Sequence, residues 1–297
     1  MKNLMILNPA SSTGRVLKLK PRIEEILTGL GIDYMMHISK SSEDIINTVK
    51  KNLNYYSNFI SVGGDGTLHY IANVLAGTGK NLGCIPLGSG NDISGSLGFS
   101  ADIEKACEAI KKCVTRKMDL GLINSKYYYM GVSGAGFDSV VTDLANSTKF
   151  PVKGPSKYKY AVYRTLITFT SKKFYIRYDG EEKTLYGMML AVGNTDMYGG
   201  GMKITPSANP FDGILDICIL KRMSKIHFIK TFPLVFEGKH TGDPFIEYFK
   251  VNNMEVDSDY NFSVFADGEY ICKLPVRYEV VPEALNIIVN EPSHHSS

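Results

Sequence analysis

The chain contains no tryptophan and no cysteine pair of the C-x-x-C kind. Its five cysteines, Cys84, Cys107, Cys113, Cys218 and Cys272, are odd in number and irregularly spaced. Neither a disulfide framework nor a thiolate metal site is expected, and unpaired thiols in a reducing compartment are the plain reading. The six histidines include no H-x-x-x-H pair, which removes the helical zinc signature. A charge excess is missing too. Lys and Arg number 33 against 30 Asp and Glu, a net of +3, which argues against a nucleic-acid partner and against a disordered polyelectrolyte. No apolar run approaches the roughly 20 residues of a membrane-spanning helix, and the apolar run in Met1–Pro9 is too short for a secretory leader. These absences predict a cytoplasmic protein that can still visit a membrane surface.

What is present is an ordinary globular composition, 44% hydrophobic, in 297 residues, with 28 glycines concentrated in a few turns. At roughly 100–200 residues per domain, the length suggests two domains. Residues 1–121 alternate between strand and helix signals. Short apolar runs at Leu4–Leu7, Asp33–Ile38, Phe59–Val62 and Leu82–Pro86 are separated by helical patterns. Ile23, Ile26, Leu27 and Leu30 share one face of the first helix, and Ser41 with Asp44 forms the start signal of the second. This rhythm predicts an α/β domain built on a doubly wound parallel sheet. Residues 122–290 are β-rich, with runs at Tyr127–Val132, Phe174–Tyr178, Met188–Val192, Ile214–Leu220, Phe262–Phe265, Val276–Val281 and Leu285–Val289. Helical patterns interrupt them only at Ser139–Ala145, Tyr158–Thr170 and Ile226–Glu237. Many strands with few crossovers predict an antiparallel sandwich-like domain. Residues 291–297 are expected to be a disordered tail.

Ligands of an open parallel sheet bind at the carboxyl ends of its strands. Three polar turns fall at such ends: Asn8–Arg15, Gly63–Thr67 and Gly88–Asp92. Glycines let a backbone approach phosphate, helix starts attract anions, and Thr67 and Ser89 add hydroxyls. One Gly-rich turn is usually just a tight connection, but three at one sheet edge are a stronger signal. There is neither a G-x-x-x-x-G-K-[ST] loop nor a strand-bound G-x-G-x-x-G. Asp65 would repel phosphate unless a Mg²⁺ stood between them, and Asp92 and Asp119 could complete such a cluster. Taken singly, each Asp reads as a cap or turn residue.

The ordered set Asn8-Pro9, Gly63-Gly64-Asp65-Gly66-Thr67, Gly88-Ser89-Gly90-Asn91-Asp92, Asn194, Tyr198-Gly199-Gly200-Gly201-Met202, Pro206, Asp212-Gly213, Gly238-Lys239-His240 and Asp267-Gly268-Glu269 resembles the diacylglycerol kinase catalytic family. That family includes bacterial soluble lipid kinases and their sphingosine and ceramide kinase relatives. The resemblance covers nearly the whole chain and implies a nucleotide-binding domain like that of NAD kinases and diacylglycerol kinases. It implies ATP at Asn8, Pro9, Ala10, Ser11, Ser12, Ser39, Gly63, Gly64, Asp65, Gly66, Thr67, Leu68, His69, Ser89 and Asn91. It assigns Asp65, with Asp92 and Asp119, to a catalytic Mg²⁺ network. Glu269 becomes the general base that takes the proton of a lipid hydroxyl. Asp212, with the carbonyls of Asn209 and Ile214, becomes the ligand set of a second, structural Mg²⁺. The first turn is longer than the family's usual one, Ser89 replaces the usual Thr, and His69 stands where many relatives carry Asn. Taken alone, Asp267-Gly268 and Asp212-Gly213 read as hairpin turns, and His240 as structural.

A lipid kinase must reach a membrane. Lys149, Lys153, Lys157, Lys159 and Arg164, interleaved with Phe150, Tyr158, Tyr160 and Tyr163, suit an anionic surface equally as well as a solvated helix start. The partners expected are therefore a lipid alcohol and an anionic membrane. The oligomeric state stays open between monomer and homodimer. Two alternatives remain at this stage. An NAD kinase would share G-G-D-G-T but needs a T-G-S-T-A-Y-like block that the chain lacks. A lipid-binding regulator on a silenced kinase fold would be expected to have lost one of Asp65, Asp92, Asp119, Asp212 or Glu269.

Overall fold

The computed structural model describes residues 2–146 and 156–290. The tail at 291–297 lies outside them, as do Lys149, Phe150 and Lys153 of the basic segment. The chain divides into two compact units, one formed by Met1–Leu120 and Val281–Ser297, the other by Gly121–Val280.

The first unit begins with β1 (Asn3–Leu7), α1 (Arg15–Gly29), β2 (Tyr34–Ile38), α2 (Ser42–Asn52), β3 (Asn58–Gly63) and α3 (Asp65–Leu75). It continues with β4 (Asn81–Pro86), α4 (Asp92–Ser96), α5 (Ile103–Lys112) and β5 (Thr115–Ile123). β4, β3, β1 and β2 lie side by side, all parallel. Parallel strands are buried on both faces, and β1 and β3 are accordingly mostly apolar with every residue buried, the buried Asn58 donating to Asn3 at 2.9 Å. Helices cover both faces. Val16, Ile23 and Leu27 of α1 and Ala106, Cys107 and Ile110 of α5 pack on Met5, Leu7, Ile60, Val62 and Ile85. α2 packs on α3, and α3 on β3 and β4. Each fully buried Ile or Leu contributes about 1.5–3 kcal/mol, so the few on α1 suffice to hold it down. The start signal of α2 is a true cap, with Ser41 Oγ accepting the Asp44 N–H at 3.1 Å. This is the expected doubly wound α/β architecture.

The second unit contains β6 (Tyr127–Tyr129), β7 (Val132–Gly136), α6 (Phe137–Asn146), α7 (Ser156–Thr168), β8 (Lys172–Tyr178), β9 (Glu181–Gly193) and β10 (Leu215–Lys221). α8 (Lys225–Thr231), β11 (Ile246–Val251), β12 (Asn253–Ser258), β13 (Ser263–Ala266), β14 (Glu269–Lys273) and β15 (Val276–Ile288) follow. The pairings within this unit are antiparallel. The long β9 pairs with β8 along its first half and lies between β7 and β10 along its second. It thus belongs to both layers of the sandwich. The core between them holds Phe174, Ile176, Leu190, Val192, Ile217, Ile219, Val264 and Tyr278. α6, α7 and α8 close a second apolar cluster around Phe137, Val162, Met189, Cys218 and Phe228. The expected antiparallel sandwich is present.

Three local readings differ from the structure. Tyr127–Val132 is not one strand, because the backbone at Met130–Gly131 is claimed by side chains described below. Ile226–Glu237 is not one α-helix. Pro233 has no N–H to donate, and the chain continues past Thr231 as a 3₁₀ turn, Phe232–Glu237. The two runs Val276–Val281 and Leu285–Val289 are a single strand, β15, whose end re-enters the first unit and pairs with β4 at Asn286–Asn81 and Ile287–Leu82.

Candidate active site

The polar turns of the first unit are built on one another. After β1, Asn8 donates through Nδ2 to Thr67 Oγ1 at 3.1 Å and accepts the Ala10 N–H at 3.0 Å. The Ser12 hydroxyl donates to the Leu87 carbonyl at 2.6 Å, tying the first turn to the third. Gly63 is required by space. A Cβ there would meet Thr67 Oγ1 at 2.9 Å and Ser11 Oγ at 3.0 Å. The second and third turns touch glycine on glycine, and a Cβ on Gly88 would sit 2.5 Å from the Gly64 Cα. Asn91 adopts the left-handed conformation (φ 58°), and its amide closes the Gly88 turn from inside, accepting the Gly88 N–H at 2.9 Å.

Asp65 opens α3 and Asp92 opens α4, and the Asp92 N–H donates to Asp65 Oδ2 at 2.8 Å. Both carboxylates flank Gly90, whose added Cβ would lie 3.5 Å from Asp92 Oδ2 and 3.8 Å from Asp65 Oδ2. The cap position of α3 is Gly64, which has no side chain to cap the helix, and Asp65 lies in its first turn. The fit to a nucleotide phosphate carrying Mg²⁺ is therefore good in type: hydroxyls, a helix N-terminus and two hard carboxylates.

The remaining sequence-derived residues take other places. Asp119 is buried, and its Oδ1 accepts the Glu283 N–H at 2.8 Å. Among the described residues no three His, Cys, Asp or Glu side chains gather as a metal cage, so the expected trio Asp65, Asp92 and Asp119 is not assembled. The Asp119 carboxylate instead holds the backbone of β15. Ser39 is buried, its N–H and hydroxyl both directed to the Leu7 carbonyl. Leu68 and His69 are buried within α3, and the His69 ring stands edge-on to Tyr70 at 5.4 Å. Ser89 is exposed at the tip of its turn.

In the second unit, Asp267-Gly268 is a hairpin turn between β13 and β14, with both residues at positive φ (54° and 85°). It is more than a turn. Asp267 accepts the Met130 N–H at 3.0 Å and the Gly131 N–H at 2.8 Å, one on each carboxylate oxygen. Asn194 donates to the Met130 carbonyl at 2.8 Å from the other side. These bonds break the strand at Met130–Gly131, and they anchor the hairpin whose first β14 residue is Glu269, half-buried. The Gly199-Gly200-Gly201 turn is closed by reciprocal backbone bonds between Tyr198 and Met202 at 3.0 Å, and its φ values of 63°, 86° and 93° demand glycine.

At the expected second metal site the Asp212 carboxylate is paired with a lysine. Lys250 Nζ lies 3.1 Å from Asp212 Oδ2 and 3.2 Å from the buried Asp216 Oδ2. The Asn209 carbonyl accepts the Asp212 N–H at 3.3 Å. The Lys250 ammonium thus supplies a positive charge to both carboxylates. Burial pushes the Asp216 carboxyl above the usual range, and the Tyr248 hydroxyl donates to its Oδ1 at 2.7 Å.

One feature was not anticipated from sequence. Beneath α6, α7 and α8 lies an apolar cavity lined by Val162, Met189, Ile204, Phe228, Phe232 and Val235. Asp138 and His240 are among its few polar residues. Burial pushes Asp138 up to about 7, against local backbone hydrogen bonds that include the Ser139 N–H at 2.8 Å. His240 Nε2 faces the Ile204 carbonyl at 3.1 Å, and burial lowers its basicity. An Asp at a helix start reads as a capping residue, so nothing in the linear pattern marks this one.

Comparison with known proteins accounts for both units. Residues 2–123 match the diacylglycerol kinase catalytic domain, and residues 131–289 match the YegS C-terminal NAD kinase beta sandwich-like domain. The chain is 31% identical over 294 residues to a diacylglycerol kinase of Mycobacterium tuberculosis, covering 97% of this chain and 94% of the relative. It is 27% identical over 289 residues to a diacylglycerol kinase of Bacillus subtilis, covering 96% and 95%. A crystal structure of a diacylglycerol kinase from Bacillus anthracis str. Sterne aligns with a TM-score of 0.76 at 22% identity, covering 98% of this chain and 97% of that one. A second structure from that organism reaches 0.81 at 23% identity, covering 98% of each. At that identity the two structures establish the fold. The chain belongs to the diacylglycerol kinase catalytic family, a family of lipid kinases.

Proposed function

We propose that this lipid kinase transfers the γ-phosphoryl group of ATP to the hydroxyl of diacylglycerol or a related lipid alcohol, with Glu269 as general base. The observation that carries the phosphate side is the meeting of Asp65 and Asp92 at the uncapped start of α3, beside a Gly64–Gly88 contact with no room for side chains. Thr67, Ser11 and the α3 N–H groups bind and orient phosphate oxygens. Phosphoryl transfer needs positioning and charge neutralisation more than covalent help from the protein. Asp65 and Asp92 would hold the Mg²⁺ that, when bound, neutralises phosphate charge. The acceptor hydroxyl forms the new P–O bond as its proton passes to the Glu269 carboxylate, and ADP leaves with the electron pair of the broken bond. Asp267 holds the Glu269 hairpin in place through Met130 and Gly131. The choice of a lipid over a polar alcohol rests on the relatives named diacylglycerol kinase; the apolar cavity of the second unit, about 50 Å³, does not hold an acyl chain as it stands.

The basic segment retains its place in this reading as a contact for anionic headgroups. Lys149 and Lys153 lie outside the described residues. No helix among the described residues is long and apolar enough to cross a membrane. Neutralising Lys153, Lys157 and Lys159 is expected to weaken vesicle binding at low salt. The decisive test of the activity is radiolabelled ATP against a panel of lipid alcohols in micelles. Phosphorylation of diacylglycerol above all others is expected. Glu269→Gln is expected to lose turnover by at least about a hundredfold while retaining ATP affinity, and a variant working at the parental rate would remove Glu269 from the mechanism.

A further inference from the structure

α7 and α8 have opposite faces of the same character. Inward, Val162, Phe228, Phe232 and Val235 line the apolar cavity. Outward, Tyr163 and Ile167 of α7 stand one turn apart in solvent, and Ile226, Ile229 and Phe236 form a stripe along α8 and the 3₁₀ turn that prolongs it. Ile167 and Ile226 are each 70% exposed, which is unusual for isoleucine. The two stripes adjoin, since Lys225 at the start of α8 donates to the Ile167 carbonyl near the end of α7. Phe245 extends the patch, its ring edge-on to His227 at 4.9 Å.

The charge around this patch has one sign. Between Lys221 and Lys239 stand Lys221, Arg222, Lys225, Lys230 and Lys239 against Glu237 alone, a net of +4 in a chain whose total is +3. Asp243 adds one negative charge beside this stretch, where it accepts from His227 at 2.6 Å and Thr231 at 2.7 Å, and the balance stays positive. Glu237 is paired with Lys239 at 2.7 Å, and that leaves Lys221, Arg222, Lys225 and Lys230 as the excess. Apolar side chains on one helical face with lysines at the margins match the interfacial region of an anionic bilayer. They do not resemble the charge-depleted centre of a protein interface.

We propose that the outward face of α7, α8 and the Phe232–Glu237 turn is the surface on which the chain lies against an anionic phospholipid bilayer. Ile167, Ile226, Ile229 and Phe236 enter the boundary between headgroups and acyl chains, and Arg222 and Lys230 meet lipid phosphates. The wall of the cavity is then also the surface that touches the membrane. The proposal stands beside the substrate assignment rather than on it, because binding to a bilayer can be read without ATP.

The test uses the full chain with vesicles of phosphatidylcholine alone or with roughly one third phosphatidylglycerol. The parental protein is expected to co-sediment with the anionic vesicles. I226S/I229S/F236S is expected to lower that partition at least about tenfold, with turnover of a short-chain diacylglycerol in detergent micelles unchanged. R222Q/K230Q, which keeps the Lys225 bond to the Ile167 carbonyl and every apolar side chain, is expected to abolish the preference for anionic over neutral vesicles. Parental protein that ignores anionic vesicles, or a triple variant that binds them as the parent does, would overturn the proposal. So would a triple variant that turns a dimer into a monomer in sedimentation velocity with vesicle binding intact, since the face would then join two copies of the chain. Vesicle binding that depends on these residues, in a protein that phosphorylates no lipid alcohol, would sustain the surface and overturn the substrate assignment.

Discussion

Asp138 and Lys250 show two ways in which single side chains set the charge of this protein's interior, one by its own burial and one by pairing with a buried carboxylate. The Asp138 carboxyl titrates at about 7 in the folded chain and near 3.8 when exposed. The unfolded state therefore gives up its proton first, and stability falls as pH rises from about 4 through 7. At roughly 1.4 kcal/mol per unit of pH, the loss is on the order of 4 kcal/mol. Asp138→Asn is expected to match the parent in urea midpoint near pH 4 and to exceed it clearly at pH 8. Equal midpoints at pH 8 would show that the carboxyl is hydrated in the folded state. Lys250 works in the other direction, by supplying a cation to Asp212 and the buried Asp216. Lys250→Ala is expected to destabilise by about 2 kcal/mol. This lies below the usual range for broken buried pairs, because Tyr248 still donates to Asp216 and the lysine is partly solvated. Thermal melts would check it, and a melt restored by added Mg²⁺ would show that a metal can take the ammonium's place. The sequence marked Asp212 through its Asp-Gly turn. It did not mark Lys250 or Asp216, whose meeting depends on β10 and β11 pairing in register, with Asp216 opposite Lys250.

At the scale of elements, the three polar turns proposed to bind phosphate were legible because each follows a short apolar strand and opens a helix. That order alone forces them to one edge of a parallel sheet. Their closeness was not legible. Nothing in Gly63-Gly64 or Gly88 says that the two loops touch backbone to backbone, yet Gly88→Ala would place a Cβ 2.5 Å from the Gly64 Cα. This substitution is expected to cost about 1–3 kcal/mol and to weaken ATP binding well beyond the loss in stability, measured by titration calorimetry on folded protein. Retained affinity would show that the loops separate freely. The break at Met130–Gly131 was invisible for a similar reason. Its causes, Asn194 and Asp267, lie 64 and about 137 residues further along the chain. Asp267-Gly268 was correctly readable as a hairpin turn, but its second task, gripping that break, belongs to tertiary structure. In the same way α8 stopped short of its apolar periodicity because Pro233 removes a donor, which the pattern of hydrophobic residues alone does not register.

At the scale of the whole molecule, the two architectures were legible from the switch between alternating strand–helix signals and strand-rich sequence near residue 121. The return of the chain was not. Val281–Asn290 belongs to the first unit, where β15 pairs with β4 and Ile288 joins the core of Met5, Val16 and Ile60. Leu285, Ile287 and Ile288 are all buried, and together they are worth about 6 kcal/mol. That is comparable with the whole stability of an ordinary domain. Residues 1–120 expressed alone are therefore expected to lack a cooperative melt, and to regain one when a peptide of residues 281–290 is joined to their C-terminus. A sharp transition in the fragment alone would refute this. The arrangement also sets the timetable of synthesis. A domain at the start of a chain usually folds while the rest is still being made, but this one waits for its last strand. The 160 residues of Gly121–Val280 must first leave the ribosome, about 10–30 s at ordinary rates of translation. Through that interval β4 is a nascent sheet edge without its neighbour, open to pairing with another strand until β15 arrives.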